Sequence, residues 1–321
     1  KFPEDCKDAN EVLVKHGRNT LIDCLKQAIP YPIEGLYTVK NYTKEIFDIY
    51  NGRIQKPLST GFKILDQIYK IQPGTFHLVT GVPNHGKSNF IDQIAVNMFK
   101  NYGWKYCVFS PEHSTPQHIR RIVEKIVRKP FDDGFTQRMT ENELERGLNI
   151  LNDNFFFIEN KDSIPTIDWI LQKAKMSCLK HGVKGIIIDP YNEINSERGI
   201  GKREDEHIKD IISKCKKFCR THEITMWVVA HPAKLPRENG IINAPTLYDV
   251  SGSAHWNNMC DIGLVVHRDF ENNKTRVITR KVREQGLYGN IGECYFNYDL
   301  QERVYKEVLE NKSDEERWQN A

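Results

Sequence analysis

From residue 57 onward the chain alternates two kinds of apolar pattern. Five short apolar runs, Thr75–Thr80, Lys105–Ser110, Phe155–Ile158, Gly185–Asp189 and Thr225–Ala230, have the length and the β-branched or aromatic content of buried strands. Between and beside them stand longer segments with helical spacing of apolar positions: Asn89–Tyr102, Pro116–Arg128, Glu141–Asn152, Pro165–His181 and Glu204–Thr221. Such alternation predicts an α/β fold, a mostly parallel sheet with helices on both faces. Three later runs, Ile262–His267, Thr275–Arg280 and Gly292–Asn297, have no helical pattern between them and predict an antiparallel extension of that sheet.

The first 56 residues read differently. A short helix from Asp8 ends at Gly17, and a second covers Thr20 to Ala28 before Pro30 and Pro32 break the pattern. Residues 38–52 read as one amphipathic helix. The polar stretch from Glu310 to Ala321 is expected to fray, and no internal repeat is visible. The expected organisation is a small N-terminal piece over 1–37, a linker helix over 38–56, an ATPase-sized domain over 57–309 and a tail over 310–321. The chain opens on Lys1 rather than Met, which reads as a fragment of a longer protein.

Composition narrows this picture only slightly. The 321 residues carry a net charge of +3, so any basic surface for nucleic acid has to be local. No apolar run reaches the ~18 residues of a membrane span, so no membrane partner is expected. No secretory signal is visible. The eight cysteines form no C-x-x-C pair and read as reduced thiols, Cys215 and Cys219 as ordinary positions of one helix.

The strongest chemical signal is Gly81-Val82-Pro83-Asn84-His85-Gly86-Lys87-Ser88, which fits G-x-x-x-x-G-K-[ST] between a predicted strand and a predicted helix. In such a loop backbone N–H groups curl around phosphate oxygens, and the helix N-terminus adds a positive dipole end. Lys87 would reach the β- and γ-phosphates of ATP or another nucleoside triphosphate, and Ser88 would place its hydroxyl on Mg²⁺. Pro83 and His85 are bulkier than the small residues often found there.

Other strands end in polar residues. Asp189 closes Gly185–Asp189 and is the candidate for holding Mg²⁺, usually through water. Glu112 follows the strand ending at Ser110 and is the candidate for activating an in-line water, with a surface carboxylate as the alternative. His231 follows Ala230 and is a candidate γ-phosphate sensor or a structural strand-end histidine. The segment 232–254 reads as a long, structure-poor loop, in which Lys234 and Arg237 either contact a nucleic-acid backbone or are solvated. The loop between Tyr191 and Arg203 raises the same choice for Arg198, Lys202 and Arg203. Lys281 and Arg283 share one face of a late strand.

Together these segments resemble the DnaB class of hexameric replicative helicases, and more closely its bacteriophage and Twinkle-like primase-helicases, over roughly residues 57–300. The resemblance starts at Thr60-Gly61-Phe62-x-x-Leu65-Asp66 with Gln72-Pro73-Gly74. It implies a RecA-like ATPase core with Glu112 as catalytic glutamate, Asp189 as Walker B aspartate and His231 as sensor. Lys281-x-Arg283 is similar to the family's K-x-R pair, which implies an arginine finger acting with Lys281 on ATP held by the next subunit. Ser251-Gly252-Ser253-Ala254 followed by Asp261 resembles the segment bearing the central DNA-binding loop. Phe296-Asn297-Tyr298-Asp299 resembles the segment whose tyrosine stacks on the base, implying Tyr298. Residues 1–37, with Cys6-Lys7-Asp8-Ala9-Asn10-Glu11, resemble the end of a Toprim primase domain without its acidic metal cluster.

The resemblance further implies a ring of six or seven copies around single-stranded DNA, moving 5′ to 3′, with a replication polymerase and a single-strand-binding protein as further partners. The expected place is a bacterial or phage-infected cytoplasm, or alternatively an organelle matrix. A RecA-type recombinase or regulatory RecA-fold ATPase shares the core, but the K-x-R pair and the Toprim-like start argue against it. An idle scaffold ring is opposed by the intact Lys87, Ser88, Glu112 and Asp189.

Overall fold

The structure, a computed structural model, describes residues 2–28, 33–53, 56–194, 203–233, 235, 237–238, 241–252 and 254–308, with 237, 238 and 241 described in backbone only. The expected tail over 310–321 lies outside the described residues. Two compact units divide at Lys56 and Pro57.

In the first unit α1 (Ala9–Lys26) kinks at Gly17, whose φ of 82° only glycine adopts without strain, so the two expected helices meet there. Asp8 caps it by accepting from the Glu11 N–H at 2.9 Å. Helix α2 (Val39–Tyr50) leaves Val39, Ile46, Phe47, Ile49 and Tyr50 exposed.

In the second unit a short α3 (Leu65–Ile68) precedes β1 (Phe76–Thr80), and Thr60 donates both its N–H and its hydroxyl to Asp66 at 2.7 Å. The chain continues through α4 (Lys87–Tyr102), β2 (Tyr106–Phe109), α5 (Thr115–Val127), α6 (Glu141–Asn154), β3 (Phe155–Ile158), α7 (Ile167–His181), β4 (Gly185–Ile188), α8 (Glu204–His222) and β5 (Thr225–Val229). Two-residue strands β6 (Arg237–Glu238) and β7 (Ile241–Ile242) form a separate hairpin before α9 (His255–Met259). Then come β8 (Ile262–Asp269), β9 (Lys274–Val282), β10 (Gly292–Asp299) and β11 (Val304–Glu307).

Nine strands form one sheet in the order β11-β10-β9-β8-β1-β5-β4-β2-β3. The expected antiparallel extension is real but starts one strand later: β8 runs parallel to β1, and only β9, β10 and β11 alternate in direction. The reason is connectivity. The chain reaches β8 through α9, a crossover long enough to return it in the same direction, whereas β8 to β9 is a tight hairpin. The expected structure-poor loop likewise holds the β6–β7 hairpin and a 3₁₀ turn at Leu247–Asp249.

Side chains of period two feed two cores. Val79, Val108, Ile187 and Val229 pack with Phe90, Ile94, Ile122 and Leu151 under α4, α5 and α6. Leu78, Cys107, Ile186 and Val228 pack with Ile170, Ile211 and Trp256 under α7, α8 and α9.

Candidate nucleotide site

Four neighbouring strands, β1, β5, β4 and β2, end at the same edge of the sheet, and the residue chemistry lies just past their carboxyl ends. Gly81–Ser88 follows β1, His231 follows β5, Asp189 follows β4 and Glu112 follows β2. That edge is where open parallel sheets bind ligands.

The phosphate loop needs its glycines for contact reasons. Gly81 has φ 153°, and a Cβ there would lie 2.1 Å from the Val266 carbonyl oxygen; Gly86 has φ 88°, and a Cβ would lie 2.6 Å from the Tyr305 hydroxyl. Val82 is buried, Pro83 and Asn84 are exposed, and Asn84 takes a φ of 64°. Lys87 begins α4 and folds back so that Nζ donates to the Val82 carbonyl at 3.1 Å. Burial lowers its pKa, opposed by the carboxylates of Asp189 and Glu112. The bulky His85 does not fill the loop. Its Nδ1 accepts from the Arg268 N–H at 2.9 Å, and its ring meets those of His267 and Phe270 at 4.8 and 5.3 Å. Burial, with the nearby His267, Lys87 and Arg268, pushes its pKa down to about 4.

Asp189 is buried, with Ser88 beside the carboxylate and Oδ1 lacking any protein partner. Burial raises its pKa and Ser88 opposes the rise. An orphaned buried carboxylate oxygen beside a hydroxyl, next to a phosphate loop, is a hard oxygen donor set that fits Mg²⁺.

Glu112 is half-exposed, and its Oε2 lies 3.9 Å from Nε2 of His231. The His231 backbone N–H donates to Asn192 Oδ1 at 2.9 Å, while its Nδ1 is buried without a partner. Burial and the Lys87 charge lower the His231 pKa against the pull of Glu112 and Asp189. Lys87, Asp189, Glu112 and His231 are thus within electrostatic reach of one another.

A cavity of about 530 Å³ opens beside the loop, lined by His85, His267, Arg268, Phe270, Arg276 and Tyr295 among others. Apart from His85, these residues escaped the sequence reading; the signal was the His267-Arg268-Asp269-Phe270 run closing a strand that proves to lie beside β1. Tyr298 is partly buried, its ring 5.0 Å from that of Tyr305 and 5.5 Å from Lys125 Nζ. Tyr305 in turn reaches the Gly86 carbonyl at 3.4 Å, so Tyr298 is one ring removed from the loop.

Of the candidate DNA contacts, Arg198, Lys202, Lys234 and Ser253 lie outside the described residues, and Arg237 is described only as backbone of β6. Gly252 has φ 95°, and a Cβ there would lie 2.1 Å from Ile208 Cδ1 of α8, a packing reason for glycine.

Lys281 and Arg283 do share a face. Lys281 Nζ donates to the carbonyls of Asn257 and Asn258, the latter at 2.8 Å, and Arg283 Nη2 reaches the Met259 carbonyl at 3.3 Å. A bulge sets this phase: Gly263 pairs with Lys281 but Leu264 with Thr279, so Arg280 is the extra residue. Arg283 stands at the opposite end of β1 from its own phosphate loop. Ile262 pairs with both His77 and Val282, so Arg283 sits by the first residues of β1. Five strand residues at ~3.3 Å each separate it from Gly81 by about 16 Å.

Comparisons with known proteins agree with this fold. The model of the DnaB-like helicase C terminal domain matches residues 57–306. A Twinkle homolog protein, chloroplastic/mitochondrial, of Arabidopsis thaliana is 41% identical over 309 residues, which are 92% of this chain and 43% of that protein. A probable replicative DNA helicase of Trieres chinensis is 24% identical over 75% of this chain and 55% of its own length. Among solved structures, an isolated ATPase domain superposes with a TM-score of 0.70 at 17% identity, covering 86% of this chain and all of that one. A DnaB-like replicative helicase, solved in a study of its interactions with primase, gives 0.68 at 16% identity over 94% and 74%. The fold is the RecA-like one expected, and a recombinase reading is not favoured. The chain spans less than half of the Twinkle homolog and about half of the Trieres protein. The chain belongs to the DnaB-like helicase C-terminal domain family.

Proposed function

We propose that this chain is the motor of a replicative DNA helicase, hydrolysing ATP or another nucleoside triphosphate at the borders of a six- or seven-membered ring and moving 5′ to 3′ on single-stranded DNA. The observation that carries this reading is the alignment of Lys87, Asp189, Glu112 and His231 along the carboxyl edge of four adjacent strands. Amides of 81–88 and Lys87 hold the phosphates, with Pro83, Asn84 and His85 shaping the loop. Ser88 and Asp189 would hold Mg²⁺, which when bound would supply neutralisation of phosphate charge. Glu112 orients and deprotonates the attacking water, and His231, beside it, reports loss of the γ-phosphate. Tyr298 and the His85–Phe270 cavity serve the nucleoside end. Arg283 is too far from its own loop to act there, which favours a finger offered, with Lys281, to the next subunit.

Residues 1–37 are read as the end of a Toprim-like domain, and α2 as a linker whose exposed apolar face packs on a neighbouring copy. Arg198, Lys202, Lys234, Arg237, Gly252 and Ser253 belong to the segments proposed to meet DNA. A replication polymerase and a single-strand-binding protein are proposed further partners. The organelle matrix is the favoured location, because the Arabidopsis relative is chloroplastic/mitochondrial; among the described residues no helix is long and apolar enough to cross a membrane.

The test is ATP turnover with and without single-stranded DNA, for the parent and Arg283→Ala. DNA stimulation, with the variant binding ATP normally but turning over at least roughly 10³-fold more slowly, is expected. A variant that turns over like the parent, with no effect of DNA, overturns the reading.

A further inference from the structure

Asp261 has no role in the scheme above, yet four donors converge on its carboxylate and backbone. Its Oδ2 accepts from the Phe76 N–H at 3.0 Å, at the first residue of β1. Its Oδ1 accepts from Arg283 Nε at 2.9 Å and from Lys216 Nζ of α8 at 2.5 Å. Backbone bonds run the same way: Asp261 N–H donates to the Phe76 carbonyl at 2.9 Å, and Arg283 N–H to the Asp261 carbonyl at 2.8 Å. The carboxylate is buried while the Arg283 side chain remains 43% exposed. The inner edge of the guanidinium is therefore fixed and its outer part faces solvent.

That arrangement suits an arginine that must meet a phosphate across a subunit border. A free arginine gives up its rotamer freedom only when it binds, and the bond is weakened by that loss. Here the loss is taken in advance: Nε is tied to a carboxylate and Nη2 lies near the carbonyls of Asn258, Met259 and Cys260, at 3.5, 3.3 and 3.4 Å. Lys216 competes for the same oxygen, so two cations face one anion and the cluster keeps a net positive charge toward the open side. Burial acts against the Asp261 charge, but the Lys216 bond and the Phe76 N–H hold its pKa below the ordinary value, so it stays ionised at working pH.

We infer that Asp261 is the positioning residue of the Arg283 finger, anchoring it to the first residue of the strand that carries its own subunit's phosphate loop. The inference rests on the proposed role of Arg283, so both are tested together.

Asp261→Asn, Asp261→Glu and Arg283→Ala are compared with the parent in DNA-stimulated ATP turnover, ATP binding, ring assembly and melting temperature. Asp261→Asn is expected to lower kcat about tenfold, the equivalent of roughly 1.4 kcal/mol, with KM for ATP near the parent's. Asp261→Glu keeps the charge for Lys216 and Phe76 but displaces the guanidinium, so it covers the case in which asparagine does not fold. The decisive readout is mixing. Asp261→Asn subunits have a working phosphate loop and a misplaced finger; Lys87→Ala subunits have the reverse. Mixed rings should recover turnover, as mixtures of Arg283→Ala with Lys87→Ala should, whereas a merely damaged fold is not rescued. If Arg283→Ala turns over like the parent, the finger role itself falls. If Arg283→Ala is slow but a folded Asp261→Asn or Asp261→Glu matches the parent, or mixing restores nothing, Asp261 does not position the finger.

Discussion

His118 of α5 and Asp92 of α4 meet at 2.8 Å where both side chains are almost free of solvent, and Arg121 Nε approaches the other oxygen of Asp92 at 3.2 Å. Helix α4 begins at Lys87 and α5 begins three residues after Glu112, so this pair fixes the spacing between the groups proposed to hold phosphate and to activate water. Burial raises the Asp92 pKa, but His118 and Arg121 outweigh it and bring the carboxyl down to about 2. A depressed carboxylate contributes stability that is present above its unfolded value near 4 and is lost as pH falls through about 2. Asp92→Ala leaves the buried His118 and the partly exposed Arg121 without their carboxylate and is expected to cost about 3–5 kcal/mol near neutral pH, measured by denaturant unfolding. An unchanged unfolding midpoint would remove this pair from the stability account.

Glu112 makes a sharper kinetic prediction. Glu112→Gln keeps the size of the side chain and its approach to His231 but not the base. Turnover should fall by about 10²–10⁴-fold with ATP binding retained. Fluorescent nucleotide binding beside steady-state kinetics separates the two; loss of binding instead of turnover would make Glu112 a ligand contact.

His85 predicts a pH effect on stability. Its folded pKa of about 4 is below the unfolded value near 6.5, and its Nδ1 accepts from Arg268 only while unprotonated. The sign follows: stability is full above pH 6.5 and erodes as pH falls toward 4, because the unfolded chain takes the proton first. Melting temperatures from pH 7.5 to 4.5 should fall more steeply for the parent than for His85→Gln. Parallel curves would show that the ring is not held neutral.

Much of the candidate site's edge was legible because its chemistry is local. Gly81–Ser88 spells its geometry in eight residues, and Asp189 and His231 each follow an apolar run that can only be a buried strand. What could not be read depends on which distant segments become neighbours. Asp92 and His118 are both helix positions that look solvated until α4 and α5 pack. The parallel direction of β8 depends on the crossover before it, and the bulge at Arg280 breaks no sequence rule. The cavity beside His85 was hidden for the same reason, since Arg268 lies 183 residues further along the chain. Strand β11 was missed because its alternation lasts only from Val304 to Glu307.

The contact between Phe76 and Asp261 gives β1 two working ends. At its carboxyl end the strand feeds the loop that would grip one nucleotide; at its amino end it braces the cation that would be offered to another. In a closed ring every such strand would be a short rigid strut between consecutive nucleotides. A push on one phosphate cluster would then be delivered to the next site through five residues of sheet, without any loop having to fold or unfold.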